Sequence, residues 1–65
     1  MNKRISYKNF IIKYHYNMNH QEYFGVVENC DNDIITVSAK TEDAFKEKFK
    51  ISINEYLNYL NYINE

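Results

Sequence analysis

Thr41-Glu42-Asp43-Ala44-Phe45-Lys46-Glu47-Lys48-Phe49-Lys50-Ile51-Ser52-Ile53-Asn54-Glu55-Tyr56-Leu57 is the stretch where the period of the sequence changes. Phe45, Phe49, Ile53, Tyr56 and Leu57, continued by Leu60 and Ile63, recur at the three-to-four spacing that puts apolar side chains on one helical face. Thr41 is a good N-cap, and Glu42 and Asp43 in the first turn complement the positive end of the helix dipole. The pattern predicts one helix from Glu42 to about Ile63, roughly 33 Å long at 1.5 Å per residue.

Upstream of Thr41 the period is two. Ile5 to Tyr16 is rich in β-branched and aromatic residues and reads as a strand. Phe10, Ile12, Tyr14 and Tyr16 should face the core, with Ile11, Lys13 and His15 on the other side. Asn17 to Gln21 is a polar break suited to a hairpin loop. Glu22 to Glu28 reads as a second strand, and Gly25 within it signals a bulge or a close backbone approach. Asn29-Cys30-Asp31-Asn32-Asp33 is a turn, and Ile34 to Ser38 a third strand. The expected fold is α+β, a three-stranded antiparallel meander followed by one long C-terminal helix on one sheet face (β-β-β-α), in a single domain over residues 1–65. A strand of seven residues spans only about 23 Å, so the last two helical turns should overhang the sheet, carrying Tyr59 and Tyr62.

Composition narrows the function. A 65-residue chain is small enough that its core is marginal, and such scaffolds usually gain support from disulfides, metals or partner chains. Cys30 is the only cysteine, so no internal disulfide can form. The net charge of −1 lacks the positive excess of a generic nucleic-acid binder. The basic start, Met1-Asn2-Lys3-Arg4, is followed by no apolar run, so neither a signal peptide nor a membrane span is expected. A cytoplasmic protein that assembles with protein partners, itself included as a homodimer or larger oligomer, fits these limits.

Reactive side chains do not form a compact motif. His15, His20 and Cys30 are the plausible soft metal ligands, but their spacing matches no zinc site. Cys30 has no adjacent Lys or Arg to activate it. Asp31 and Asp33 read as turn chemistry rather than as a two-metal pair. No catalytic residue, metal or cofactor is therefore expected. Lys8, Phe10, Lys13, Tyr14, His15 and Tyr16 interleave basic and aromatic residues, as platforms for single-stranded nucleic acid do, although Phe10, Tyr14 and Tyr16 fall on the core side. Lys46, Lys48 and Lys50 are largely offset by Glu42, Asp43, Glu47 and Glu55. The expected contact residues are Tyr59, Tyr62 and Ile63 on the helix overhang, because tyrosines are enriched at interface cores, followed by Ile11 and Ile34. A solvated helix end and a sheet face covered by a second copy are the plainer alternatives.

Several segments in order resemble the HicB-like antitoxin family. Tyr7-Lys8-Asn9-Phe10 is similar to the family's Tyr-x-Gly-Tyr-like start, with Asn9 where glycine is usual. Tyr23-Phe24-Gly25-Val26-Val27 resembles its aromatic-Gly-x-Val strand, and Asn32-Asp33-Ile34-Ile35-Thr36-Val37 its Asn-Asp-Val-Ile-Thr-Phe strand. Thr41 to Phe45 and Phe49 to Leu57 resemble its helix. The resemblance covers residues 5–60. It implies a partly degraded ribonuclease H-like domain without catalytic carboxylates that blocks the active site of a small RNA-cleaving toxin. The loop at Asn17 to Gln21 lacks the family's acidic run. The sequence stops before the family's fourth strand and DNA-binding segment, so operator binding is not expected of these residues. The same shape would also suit a phage or mobile-element inhibitor of a host defence system, and a single-stranded nucleic-acid-binding protein is the third reading.

Overall fold

The computed structural model describes residues 2–30 and 33–63, of Ile63 the backbone only. Its order is β1 (Lys3–Tyr7), β2 (Phe10–Asn17), β3 (Glu22–Val27), β4 (Thr36–Ala39) and α1 (Glu42–Ile63). The four strands form one antiparallel sheet in the order β1-β2-β3-β4, and α1 packs on one face of it. The fold is α+β, with four strands rather than the expected three.

The difference arises at Lys8 and Asn9. Both have positive φ, 49° and 71°, the backbone of a two-residue hairpin turn whose twist suits the flanking strands. The segment Ile5 to Tyr16 is therefore two strands, paired Lys3↔Tyr14 through Tyr7↔Phe10. Glycine, the usual mark of a turn with positive φ at both positions, is missing there. Asparagine tolerates the left-handed conformation, and the strain at Lys8 is offset by its side chain. The Lys8 ammonium donates to Asn54 Oδ1 at 2.7 Å and lies 5.4 Å from the centre of the Tyr7 ring. Asn29 holds the turn from the other side: its Oδ1 accepts from Ile11 N at 2.8 Å, and its Nδ2 donates to Asn9 O at 2.7 Å.

The third expected strand shifts as well. β4 begins at Thr36, not Ile34. Val27 N donates to Ile35 O at 3.0 Å, so pairing with β3 starts only there, and Ile34 is left 87% exposed in the preceding loop. The predicted hairpin loop is confirmed: Asn17 Oδ1 accepts from Asn19 N and His20 N, an Asx turn. The predicted cap is confirmed too, with Ala44 N donating to Thr41 Oγ1 at 3.1 Å.

The core consists of Ile12, Tyr14, Val27, Val37, Ala39, Phe45, Phe49 and Ile53. Phe45 stacks on Tyr14 with ring centres 4.6 Å apart, directly over Gly25, which pairs with Tyr14 across the sheet. A β-carbon at Gly25 would lie 2.6 Å from Tyr14 Cβ, 2.8 Å from Lys13 O and 2.9 Å from Phe45 Cζ. The β2–β3 register is continuous through this position. Gly25 thus marks a close approach and not a bulge. Phe10 is half-buried and meets Tyr56 edge-on at 5.9 Å. Tyr16, expected in the core, lies on the helix side but is exposed and meets the Tyr23 ring edge-on at 5.0 Å. The first helical turn already lies over Tyr14, so no helix remains to cover Tyr16. At the other end Leu57 still packs on the core, and the helix then runs on past the sheet, as its length requires.

Gly25→Ala should lower stability by about 1–3 kcal/mol through overpacking, read as a fall in the urea midpoint at unchanged slope. Asn9→Val should cost about 1–2 kcal/mol, because a β-branched residue resists the left-handed backbone. Asn9→Gly should fold at least as well as the natural sequence in the same titration.

Candidate functional site

Alternation along the strands divides the sheet into a covered face and an open one. Phe10, Ile12, Tyr14, Tyr23, Gly25, Val27, Val37 and Ala39 fall on the helix side. Across the register, Arg4 and Ser6, then Ile11, Lys13 and His15, then Phe24, Val26 and Glu28, then Thr36 and Ser38 share the other side. The described structure leaves this second face uncovered. At its centre Ile11, Phe24 and Val26 are each 37–39% exposed. Phe24 meets the His15 ring edge-on at 6.4 Å. Lys13, His15, Phe24, Val26 and Glu28 line a shallow hollow of about 320 Å³ there.

Charge on the face is arranged around this apolar centre. The Arg4 guanidinium donates to Glu28 Oε1 at 2.6 Å, an ion pair that spans β2 from β1 to β3. Both partners are largely exposed, so the pair fixes geometry more than it adds stability. Lys13 stands beside it with no ion-pair partner among the described residues. Glu22 and Glu28 bracket β3 and lie roughly 20 Å apart at 3.3 Å per residue, too far to act on one bond. Among the described residues no three of His, Cys, Asp and Glu converge as a metal site would require, so His15, His20 and Cys30 are not brought together. Asp31 lies outside the described residues.

The interleaved basic and aromatic residues of β2 are separated by the sheet. Tyr14 is buried and Phe10 half-buried beneath the helix, whereas Lys13 and His15 reach the open face. Of the expected contact residues, only Ile11 belongs to that face. Ile34 lies in the loop before β4. Tyr59 and Tyr62 are 54% and 79% exposed on the helix overhang, on the opposite side of the sheet. The Ile63 side chain lies outside the described residues. Phe24 and Val26 were the missing members of the site. Their signal was present in the alternation Tyr23-Phe24-Gly25-Val26-Val27, once Gly25 is recognised as the position under the core aromatics.

The strongest titratable cluster lies under the other face. Tyr14 donates its hydroxyl to Glu42 Oε2 at 2.7 Å, and Lys3 Nζ donates to the same oxygen at 2.9 Å. One carboxylate thereby ties β1, β2 and the start of α1 together. Burial, then the bond to Glu42, pushes the Tyr14 hydroxyl up to about 12. The bonds from Lys3 and Tyr14 hold the Glu42 carboxyl below its ordinary range, and the bond to Glu42 raises the Lys3 ammonium. At the hairpin end, hydrogen bonding to Cys30, burial and the neighbouring Asp33 raise Tyr56.

Among the described residues no helix is long and apolar enough to cross a membrane. Set against protein-family models, curated proteins and solved structures, the chain matches none of them.

The cluster sets an alkaline limit on stability. A tyrosine raised from 10.0 to about 12 contributes stability that is complete below pH 10 and is lost as pH climbs toward 12. Lys3 and Tyr56, also raised, act in the same direction. Glu42, lowered from 4.5, contributes above that value and loses its share as the medium is acidified below it. Urea midpoints measured across pH should therefore fall on both sides of a neutral plateau. Tyr14→Phe should lower the plateau by about 1–2 kcal/mol and flatten part of the alkaline fall. An unchanged alkaline limb in that variant would show that Tyr14 is not its source.

Proposed function

We propose that the chain is a non-catalytic protein-binding inhibitor, a HicB-like module acting in the cytoplasm of a bacterial host cell. It neutralises a small RNA-cleaving toxin by occluding that toxin's active site. The observation that carries this reading is the open sheet face. Its apolar centre of Ile11, Phe24 and Val26 is flanked by Lys13, His15 and the Arg4–Glu28 pair. An apolar core with a polar, charged rim is the anatomy of a protein–protein interface. The open hollow at its centre has room for a protruding side chain of a partner.

Two further features favour the HicB-like form of this reading. The residue that departs from the family's glycine, Asn9, has a φ of 71°, a backbone that glycine favours and asparagine accepts. The departure thus leaves the turn geometry within reach of either residue. Gly25, which the resemblance also includes, stands where any side chain would collide with Tyr14 and Phe45. Single-stranded nucleic acid is the weaker alternative. Phe24 and His15 give one small stacking platform, and among the described strand residues of the open face Lys13 is accompanied by one other cation, the ion-paired Arg4, where backbone tracking would call for several.

The test is capture from host lysate with the tagged chain and with a Phe24→Glu variant, followed by an RNA-cleavage assay on whatever is captured. A small ribonuclease should be retained by the natural sequence, lost by the variant, and silenced at one equivalent of the chain. Retention of a defence enzyme in its place would keep the open face as the inhibitory surface and change the target. Equal capture by both forms would remove the open face from the mechanism.

A further inference from the structure

We infer that β1 is a strand-acceptor edge and that its occupant is β1 of a second copy of this chain, joining two four-stranded sheets into one of eight. This inference is independent of what the open face binds.

The hydrogen-bonding phase of the sheet decides which backbone groups point outward. Glu28 N donates to Ile11 O, and Val27 N donates to Ile35 O. Alternation from these two bonds turns Ile12 and Tyr14 of β2 toward β1, so Lys3, Ile5 and Tyr7 use their backbone groups inside the sheet. The N–H and C=O groups of Arg4 and Ser6 face outward. By the same count Thr36 and Ser38 face outward from β4.

The two edges are treated differently. On β4 the Lys48 ammonium reaches down from α1 and donates to Ser38 O at 3.1 Å. A lysine placed on an edge carbonyl is a common device against strand addition. On β1 the outward groups of Arg4 and Ser6 have no partner among the described residues. The cationic side chains that could guard this edge are engaged elsewhere, Lys3 on Glu42, Arg4 on Glu28 and Lys8 on Asn54.

The sequence of β1 then selects a partner and a register. Antiparallel pairing about a two-fold axis at Ile5 sets Arg4 opposite Ser6 of the second copy, Lys3 opposite its Tyr7, and Ile5 opposite its Ile5. All five residues pair, the outward groups of Arg4 and Ser6 meet in four hydrogen bonds, and no two like charges are opposed. A slip of two residues one way sets Arg4 against Arg4, which is unfavourable. A slip the other way sets Arg4 against Lys8, whose φ of 49° cannot continue a strand. Odd slips bring outward groups against inward ones. Both helices then lie on one side of the joined sheet, and both open faces lie on the other. A five-residue edge buries less than the roughly 1,200 Å² of a standard interface, so the dimer is expected to be weak and concentration-dependent.

Amide hydrogen exchange on the full chain, followed by NMR from micromolar to millimolar concentration, reads this directly. The Arg4 and Ser6 amides should gain protection as concentration rises, while the Thr36 amide stays fast. Sedimentation should follow the same concentration dependence. Ser6→Pro removes an outward N–H and leaves the β1–β2 bonds intact, a substitution that edge strands accept. It should raise the dimer dissociation constant at least roughly tenfold, since two of the four bonds are lost. Ser6→Lys, which opposes a lysine to Arg4, should weaken the dimer as well. The inference is overturned if the chain stays monomeric to millimolar concentration, or if Thr36 rather than Ser6 gains protection. It is equally overturned if Phe24→Glu or Tyr59→Ser abolishes assembly while Ser6→Pro leaves it unchanged.

Discussion

The stacked pair of Tyr14 and Phe45 over Gly25 is the contact on which the rest of the structure depends. Gly25 lets the Phe45 ring come down onto the sheet, where a methyl group would hold it off. That approach sets the height of the helix above β2 and β3 and brings Phe49 and Ile53 into the same layer. It also brings Glu42, one turn before Phe45, over the Tyr14 hydroxyl. The hydroxyl of a buried tyrosine needs a partner, since leaving it unpaired would cost about 1–3 kcal/mol. Glu42 meets that need and recruits Lys3 from β1. A single close approach thereby connects three strands to the helix in a chain with little core to spare.

The same geometry determines what is left over. A helix of 22 residues covers one side of a sheet whose strands are much shorter, and it covers only that side. The aromatic residues of the chain divide accordingly. Tyr14, Phe45 and Phe49 are buried, Tyr7, Phe10, Tyr23 and Tyr56 line the margin, and Phe24 stands alone among the aromatic residues at the centre of the open face. The proposed binding surface is the consequence of a one-sided architecture, with its apolar centre placed where no element of the described chain can reach it. The two sheet edges divide in a similar way, because the helix that crosses β4 carries Lys48 to one edge and leaves the other to β1.

The helix, its Thr41 cap, the Asn17 to Gln21 loop and the core side of β2 were legible because each depends on local chemistry. Apolar period, a hydroxyl three residues ahead of an orphan N–H, and an asparagine that mimics a backbone turn are all encoded within a few residues. The hairpin at Lys8 and Asn9 was not legible. Asn9 accepts left-handed backbone but stands without a neighbouring glycine, Lys8 is no marker of it, and the contacts that stabilise the turn come from Asn29 and Asn54, 20 and 46 residues away in sequence. No glycine or proline breaks the segment, so the edge strand β1 becomes distinct only in the folded chain.

The site shows the same boundary. From the sequence alone came the α+β class, the single long helix with its overhanging tyrosines, and the membership of Ile11 in the face away from the core. The tertiary structure alone decided that Gly25 is a close approach. It also decided that Phe24 and Val26 join Ile11 across two strands, that Tyr59, Tyr62 and Ile34 lie away from that patch, and that Lys48 closes one edge. The physical reason is that periodicity assigns a residue to a face of its own element. Which faces meet, and which remain open, depends on register and on the height at which the helix sits, and both are set by contacts between residues distant in the chain.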